Sequence, residues 1–218
     1  MRKFVWGVPA ALWLVFTLWY TDLGGPLTEA EVAEAMAYLD DRGIDSEFRE
    51  KMKTFLENDT GRQFLMVNNI DMSEAPPRME GFGPDATAGD YMNHYMEHMY
   101  PELFSRASHP IFLGAAQGIT LDVSGIEGAE VWDSAALFRY RSRRTFLEIV
   151  TNPAIGPRHD FKLAALTKTI AYPVEAQLYM SDPRLLLFLV AALLTTVLDI
   201  LIFGRRRESR TGFLRGER

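Results

Sequence analysis

The chain of 218 residues contains no cysteine. This absence excludes disulfides, thiolate metal sites and catalysis by a cysteine nucleophile. Basic residues are scarce in the middle of the chain, where residues 21–183 carry 14 Lys/Arg against 26 Asp/Glu, a net charge of −12. A protein that binds nucleic acid needs a basic face for the phosphates, so no nucleic-acid partner is expected.

Familiar motifs of catalysis and cofactor binding are missing as well. We recognise no nucleophile elbow, phosphate-binding loop, dinucleotide fingerprint or zinc signature in the sequence. The sequence therefore predicts no cofactor, and it names neither a substrate nor a reaction.

Two long apolar runs lie near the ends of the chain. Residues 4–20 contain no charged residue and follow Arg2 and Lys3, and residues 185–203 are apolar apart from Asp199. A helix that spans a membrane needs about 17–25 apolar residues, which both runs supply. The first run ends in the bulky pair Trp19 and Tyr20 rather than in small residues, so we expect an anchor that is retained and not a cleaved signal peptide.

The charges that flank the two runs predict their orientation. Basic residues lie at the outer end of each run, and the tail at residues 205–218 carries six arginines against two glutamates. Basic residues favour the cytoplasmic side, so we expect a two-pass protein of the cell inner membrane, with both termini in the cytoplasm and a periplasmic central domain. Asp199 is expected to extend towards Arg205 or Arg206.

The chain between the runs predicts two helices followed by a mixed domain. Thr28 and Glu31 match a capping box, and residues 28–39 and 46–58 are predicted as two charged helices that form a stalk or a flap against the domain. Strands are then predicted at residues 64–70, 111–119, 132–140 and 168–174, and helices at 90–104, 143–150 and 158–166. This order is the ferredoxin-like split βαβ pattern of an α+β fold, with an antiparallel sheet and helices on one face.

The predicted organisation has five parts. They are an N-terminal transmembrane anchor at residues 1–22, a helical stalk at 23–62, the α+β domain at 63–176, a linker with the C-terminal transmembrane helix at 177–204, and a basic cytoplasmic tail at 205–218. Because the helices cover only one face of the sheet, a second copy is expected to cover the other, giving a homodimer.

Five segments of the domain carry a resemblance to a known superfamily: FLMVNNIDM, HPIFLGAAQG, the Trp132-Asp133 turn, RYRSRR and NPAIGPRHDFKLAALTKTIAYPV. In these segments the chain resembles the uncharacterised branch of the dimeric α/β-barrel superfamily. The resemblance covers about half of the chain and includes neither apolar run. It implies a dimeric ferredoxin-like domain with a pocket in each half-barrel. The superfamily includes monooxygenases, haem-binding proteins and lactone isomerases, and many members have no assigned activity.

The candidate ligand site is built around the arginine-rich segment at residues 132–144. Strand alternation places Leu137, Arg139, Arg141 and Arg143 on one side of this segment. Buried arginines need anionic partners. Arg139 and Arg141 would either hold a carboxylate or enolate ligand or pair with Asp or Glu from another element or from the dimer mate, and the second alternative is favoured slightly. In the first alternative their candidate neighbours are Tyr91, Asn68 and His109.

A second candidate site is the pair His94 and His98, which lie four residues apart on a predicted helix with Glu97 between them. This spacing brings two imidazoles to one side of the helix and suits a metal ion. No third ligand is identified downstream, so no metal is expected, and the pair is interpreted as the boundary of the apolar stripe or as an interface.

Two classes of function remain open. The favoured one is a membrane-anchored, non-enzymatic scaffold or accessory subunit that presents a dimerising domain outside the cytoplasm and assembles with a membrane-protein complex partner. The alternative is a small-molecule-binding enzyme of the monooxygenase-like or isomerase kind, with its pocket in the half-barrel.

Overall fold

The computed structural model describes residues 1–43, 45–153 and 155–204. The predicted basic tail at 205–218 lies outside the described residues. The chain divides into two compact units, one formed by Met1–Thr21 and the chain from Leu178 onwards, the other by Asp22–Gln177.

The described helices and strands follow one another along the chain in the predicted order. The helices are α1 (Arg2–Tyr20), α2 (Glu29–Asp41), α3 (Ser46–Glu57), α4 (Ala88–Ser105), α5 (Arg143–Val150), α6 (Gly156–Ala164) and α7 (Pro183–Asp199), and α7 continues as a π-helical segment at Ile200–Gly204. The strands are β1 (Phe64–Met72), β2 (His109–Ala115), β3 (Ser134–Tyr140) and β4 (Leu166–Val174).

The first unit is a pair of antiparallel apolar helices. Both α1 and α7, the latter with its continuation to Gly204, are long and apolar enough to cross a membrane by length and composition. The Trp13 ring packs edge-on against Phe188, with centroids 5.5 Å apart, and its indole N–H donates to the carbonyl of Arg184 at 2.8 Å.

Asp199, the acid of the second apolar run, pairs with an arginine of the first helix. Asp199 accepts two hydrogen bonds from Arg2 of α1, from Nε at 2.8 Å and from Nη2 at 2.7 Å. The predicted partners, Arg205 and Arg206, lie outside the described residues. The contact between Arg2 and Asp199 joins the two helices at one end of the hairpin.

The second unit contains a four-stranded antiparallel sheet with strand order β2-β3-β1-β4. β3 lies between β1 and β2, so it splits the β1–α4–β2 unit, as a ferredoxin-like fold requires. The predicted α+β class, antiparallel sheet and strand order are therefore confirmed.

The core lies on one face of this sheet. Phe64 of β1 stacks on Tyr140 of β3, with centroids 5.2 Å apart, and both rings contact Phe146 of α5. Leu103 of α4 and Ile149 of α5 are fully buried in the same cluster. The cluster also includes the buried residues Ala35 and Met36 of α2 and Met52 and Leu56 of α3. The predicted stalk therefore packs into the core of the domain.

Local signals account for most of the helix boundaries. The predicted capping box is present, because Thr28 Oγ1 accepts from the Glu31 amide at 3.3 Å and Glu31 accepts from the Thr28 amide at 2.8 Å. A second capping box, formed by Thr87 and Asp90, starts α4 two residues before the predicted position. Its third position is Asp, which the usual Glu/Gln pattern omits.

β2 ends earlier than predicted, and the strand alternation predicted through Arg143 stops with β3. β2 covers His109–Ala115 rather than 111–119. It is an edge strand, so Pro110 fits near its start without breaking a central ladder. β3 ends at Tyr140 because Ser142 caps α5 by accepting from the Thr145 amide, which leaves Arg141 and Arg143 outside the strand.

Candidate functional site

The face of the sheet opposite the helices has an apolar row that crosses its strands. It carries Leu65 and Val67 of β1 and Leu137 of β3, which alternate with the core-facing residues of the same strands. Tyr172 of β4 pairs with Val67, and Phe112 of β2 pairs with Leu137, so the same side extends across all four strands. Phe112 is 52% exposed and Tyr172 is 47% exposed. Two aromatic side chains on the outer strands are thus left open to solvent.

One end of this face is covered by the loop between β2 and β3. The Lys168 ammonium lies 4.9 Å from the Trp132 ring and 3.7 Å from Asp71 Oδ2, and it donates to the carbonyl of Gly128. Trp132 is itself anchored by a hydrogen bond from its indole N–H to the Ala129 carbonyl at 3.0 Å. The apolar surface lies away from this end.

Arg139 is fully buried on the same side of β3 as Leu137. Its Nε and Nη2 donate to Gln63 Oε1 at 2.9 and 2.7 Å, and its Nη1 donates to the Ala107 carbonyl. The sequence argument considered only a ligand anion or a carboxylate as partner. Neutral oxygens also satisfy a guanidinium, and the chain supplies them from the segments that flank β1 and β2.

His109 and Arg141 are near neighbours of Arg139 along the chain or across the sheet. His109 lies opposite Arg139 in the β2–β3 register, and its Nδ1 is 2.9 Å from the Pro110 carbonyl. Arg141 follows β3, and its Nε donates to Thr145 Oγ1 at 3.3 Å while its backbone amide donates to Ser108 Oγ.

The other two predicted neighbours lie on the helix side of the sheet. Asn68 is buried on β1, where its amide nitrogen donates to the carbonyls of Met66 and Ala136 at 3.1 and 3.4 Å. Tyr91 of α4 is buried, and its hydroxyl accepts from the Met79 amide at 3.2 Å. The five residues therefore do not converge on one cavity, although a ligand role for each remains a prediction.

The carboxylate partners that the sequence argument expected belong to the next two arginines, at the start of α5. Arg143 is 9% exposed, and its guanidinium lies 3.5 Å from Asp59 Oδ1 and 3.5 Å from Glu175 Oε1. It also lies 4.4 Å from the Phe55 ring centroid and donates to the Phe55 carbonyl. Asp59 in turn accepts from the Leu27 amide at 2.8 Å. One buried cation thus connects α3 to the segment after β4.

Arg144 connects α5 to the segment that precedes α2. Its Nε donates to Glu31 Oε1 at 2.6 Å, and its terminal nitrogens donate to the carbonyls of Gly25 and Pro26, each at 3.3 Å. Asp22 lies 3.7 Å from the same guanidinium and accepts from the Ser142 hydroxyl. We call Arg143, Arg144 and the carboxylates Asp22, Glu31, Asp59 and Glu175 the arginine cluster.

Two acids of this cluster, Glu31 and Asp22, have a lowered pKa. Hydrogen bonds from Arg144 and Thr28 lower the pKa of Glu31 to about 2. Burial alone would raise the pKa of Asp22, but hydrogen bonds from Ser142 and Gly24 and the charges of Arg141 and Arg144 outweigh it, so the net shift is downward.

The histidine pair lies on α4, where this helix contacts α6. His94 and His98 are half-buried, and Phe161 of α6 packs edge-on against His94 at 4.7 Å. On α6, burial lowers the pKa of Lys162. The pKa of His159 on the same helix is lowered by burial and by the nearby charge of Lys162. Burial raises the pKa of Tyr95 to about 12.

A shallow groove on the surface contains none of the predicted site residues. It is lined by Ser46, Glu47, Glu50, Lys51 and Thr54, all on α3. Its position gives no support to a pocket beside Arg139.

Similarity to solved structures extends to the fold. A protein of unknown function from Rhodopseudomonas palustris is 20% identical over 60% of this chain and 94% of its own, with a TM-score of 0.48. Its methylated form is 18% identical over 61% of this chain and 93% of its own, with a TM-score of 0.50. A dimeric protein of unknown function and ferredoxin-like fold from Bacteroides fragilis is 12% identical over 52% of this chain and 96% of its own, with a TM-score of 0.31. No protein family model and no curated protein matches the chain.

Sequence reasoning missed the acids that the cluster uses. Asp22, Asp59 and Glu175 lie far apart in the sequence and outside regular elements, where a carboxylate is usually solvated. One signal was available, because arginines at the first two positions of a helix are disfavoured by the helix dipole and therefore call for acidic partners.

Replacing Glu31 with Gln should flatten the loss of stability in acid. The pKa of Glu31 is about 2 in the folded chain against an ordinary 4.5, so the ion pair with Arg144 contributes fully above about pH 4.5 and is lost as the pH falls towards 2. Gln can still accept from the Thr28 amide, so the capping box remains. Urea midpoints of the fragment Asp22–Gln177, measured between pH 7 and pH 2, should decline less steeply for Glu31→Gln than for the wild type.

The matched control is Glu34→Gln, an exposed glutamate on the same helix. Its midpoints should follow the wild-type curve. Parallel curves for Glu31→Gln and the wild type would contradict the assignment of the pair.

Proposed function

We propose that this chain is a membrane-anchored, non-enzymatic scaffold or accessory subunit whose α+β domain forms a homodimer outside the cytoplasm. The observation that carries the proposal is the apolar sheet face on which Phe112 and Tyr172 remain exposed. The dimer in turn offers an acidic surface to a membrane-protein complex partner.

The chemistry of the open face supports a second copy as its occupant. Sheets with one apolar face bury it by packing face to face about 10 Å apart, with interdigitating side chains. The exposed side chains of its apolar row, Phe112 and Tyr172, are aromatic, and the interface of a two-fold dimer needs the same surface on both partners. Apolar patches of this kind on soluble domains mark interaction sites.

The apolar helices support the membrane placement. α1 and α7 each present most of their apolar side chains outward, as helices in contact with lipid do. The basic residues beyond both runs support cytoplasmic termini by the positive-inside bias. The domain, which is encoded between the two runs, would then lie in the periplasm.

Tyr172→Glu should convert the domain into a monomer. In the proposed dimer the substitution places an unpaired carboxylate in an apolar interface. Burying such a charge is strongly unfavourable, so the dimer should dissociate. Light scattering of the fragment Asp22–Gln177 at micromolar concentration should give a dimer mass for the wild type and a monomer mass for the variant. The fragment begins at Asp22 because that residue belongs to the arginine cluster.

The matched control is Leu163→Glu, which alters an exposed leucine on α6, on the helix side of the sheet. It should remain dimeric. A wild-type fragment that is a monodisperse monomer, or a Tyr172→Glu variant that stays dimeric, would refute dimerisation through this face.

Reporter fusions test the orientation. A reporter that is active only in the periplasm should be inactive when fused after Arg218 and active when inserted in the exposed loop at Gly125. The opposite pattern would contradict the proposed topology.

A further inference from the structure

A three-residue group on α4 has the composition of a metal site. His94, Glu97 and His98 occupy positions i, i+3 and i+4, which lie on one side of a helix. One ligand-capable atom of each residue lies within 4.8 Å of the other two. No metal is predicted from the sequence because no third ligand follows downstream, but the helix brings Glu97, which lies between the two histidines, close to both.

A hydrogen bond within α4 leaves one ring nitrogen of His98 free to bind a metal. Its Nδ1 lies 3.1 Å from the carbonyl oxygen of His94. A carbonyl can only accept, so this hydrogen bond requires the hydrogen on Nδ1 and leaves the lone pair on Nε2. Histidines that bind metals usually donate their second ring nitrogen in this way, because the hydrogen bond fixes both the tautomer and the ring orientation.

The ring of His94 is held by aromatic neighbours. Phe82 and Phe161 pack edge-on against it, with centroid distances of 5.4 and 4.7 Å. Because two aromatic rings restrict the His94 side chain, binding a metal would cost little of its conformational entropy. Glu97 is exposed and can adjust its rotamer.

The distances are compatible with coordination. Ligand atoms about 2.1 Å from a tetrahedral zinc ion lie about 3.4 Å from one another. Closing separations of up to 4.8 Å to this value takes shifts of about 1 Å, which side-chain rotation supplies without moving the helix.

We propose that His94, Glu97 and His98 bind a divalent transition-metal ion of the zinc class. Two imidazoles and a carboxylate form the donor set of open zinc sites, in which a fourth position is left for water or for a ligand from a partner. The chain has no cysteine, so no thiolate competes for the ion. This site is independent of the proposed dimer face, because it lies on the helix side of the sheet.

Zinc and cobalt titrations test the proposal. The full-length protein is purified in mild detergent without a histidine tag, stripped with a chelator and then titrated with Zn²⁺. After desalting it should retain one Zn²⁺ per chain. Bound Co²⁺ should show the visible absorption of a site with nitrogen ligands. His94→Ala combined with His98→Ala should abolish retention, and Glu97→Gln, at an exposed position that does not threaten folding, should weaken binding about tenfold or more.

The matched controls are His109→Ala and His159→Ala, which remove the other two histidines of the chain and should leave the stoichiometry unchanged. Failure of the wild type to retain zinc, or retention by the double variant, would overturn the proposal. Unchanged affinity in Glu97→Gln would refute the three-ligand site.

Discussion

The domain depends on two arginines placed where a helix disfavours positive charge. Arg143 and Arg144 occupy the first two positions of α5, next to the positive end of its dipole. Their partners offset this cost, since Asp59 is almost completely buried beside Arg143 and Glu31 lies 2.6 Å from Arg144. Four carboxylates from separate segments meet at one helix start, so these segments must fold together for any of the charges to be paired.

This constraint explains why the two ends of the domain are held at one place. Asp22 is the first residue of the unit and Glu175 lies two residues before its last, and consecutive arginines contact them. The aromatic core and the stalk helices lie on the helix side of the sheet, where they pack against each other. The opposite side carries the exposed rings of Phe112 and Tyr172, where we propose that a second copy packs.

The sequence predicted what depends on local pattern and missed what depends on distant contacts. The capping box at Thr28, the succession of strands and helices along the chain and the limits of α5 follow from spacing over a few residues. Asp199 pairing with Arg2, and Arg139 with Gln63 and the Ala107 carbonyl, join segments far apart in the chain, so no periodicity reveals them. The candidate ligand residues lie on both faces of the sheet. Adjacent residues of a strand point to opposite faces, so residue type alone does not show which candidates lie together.

The free energy of unfolding of Arg143→Met tests the central claim most directly. Urea denaturation of the fragment Asp22–Gln177 should show a loss of about 3–5 kcal/mol, because the substitution leaves Asp59 buried without its cation. Arg62→Met, at an exposed arginine near the start of β1, should change stability by no more than about 0.5 kcal/mol. A loss for Arg143→Met as small as that of Arg62→Met would contradict the account.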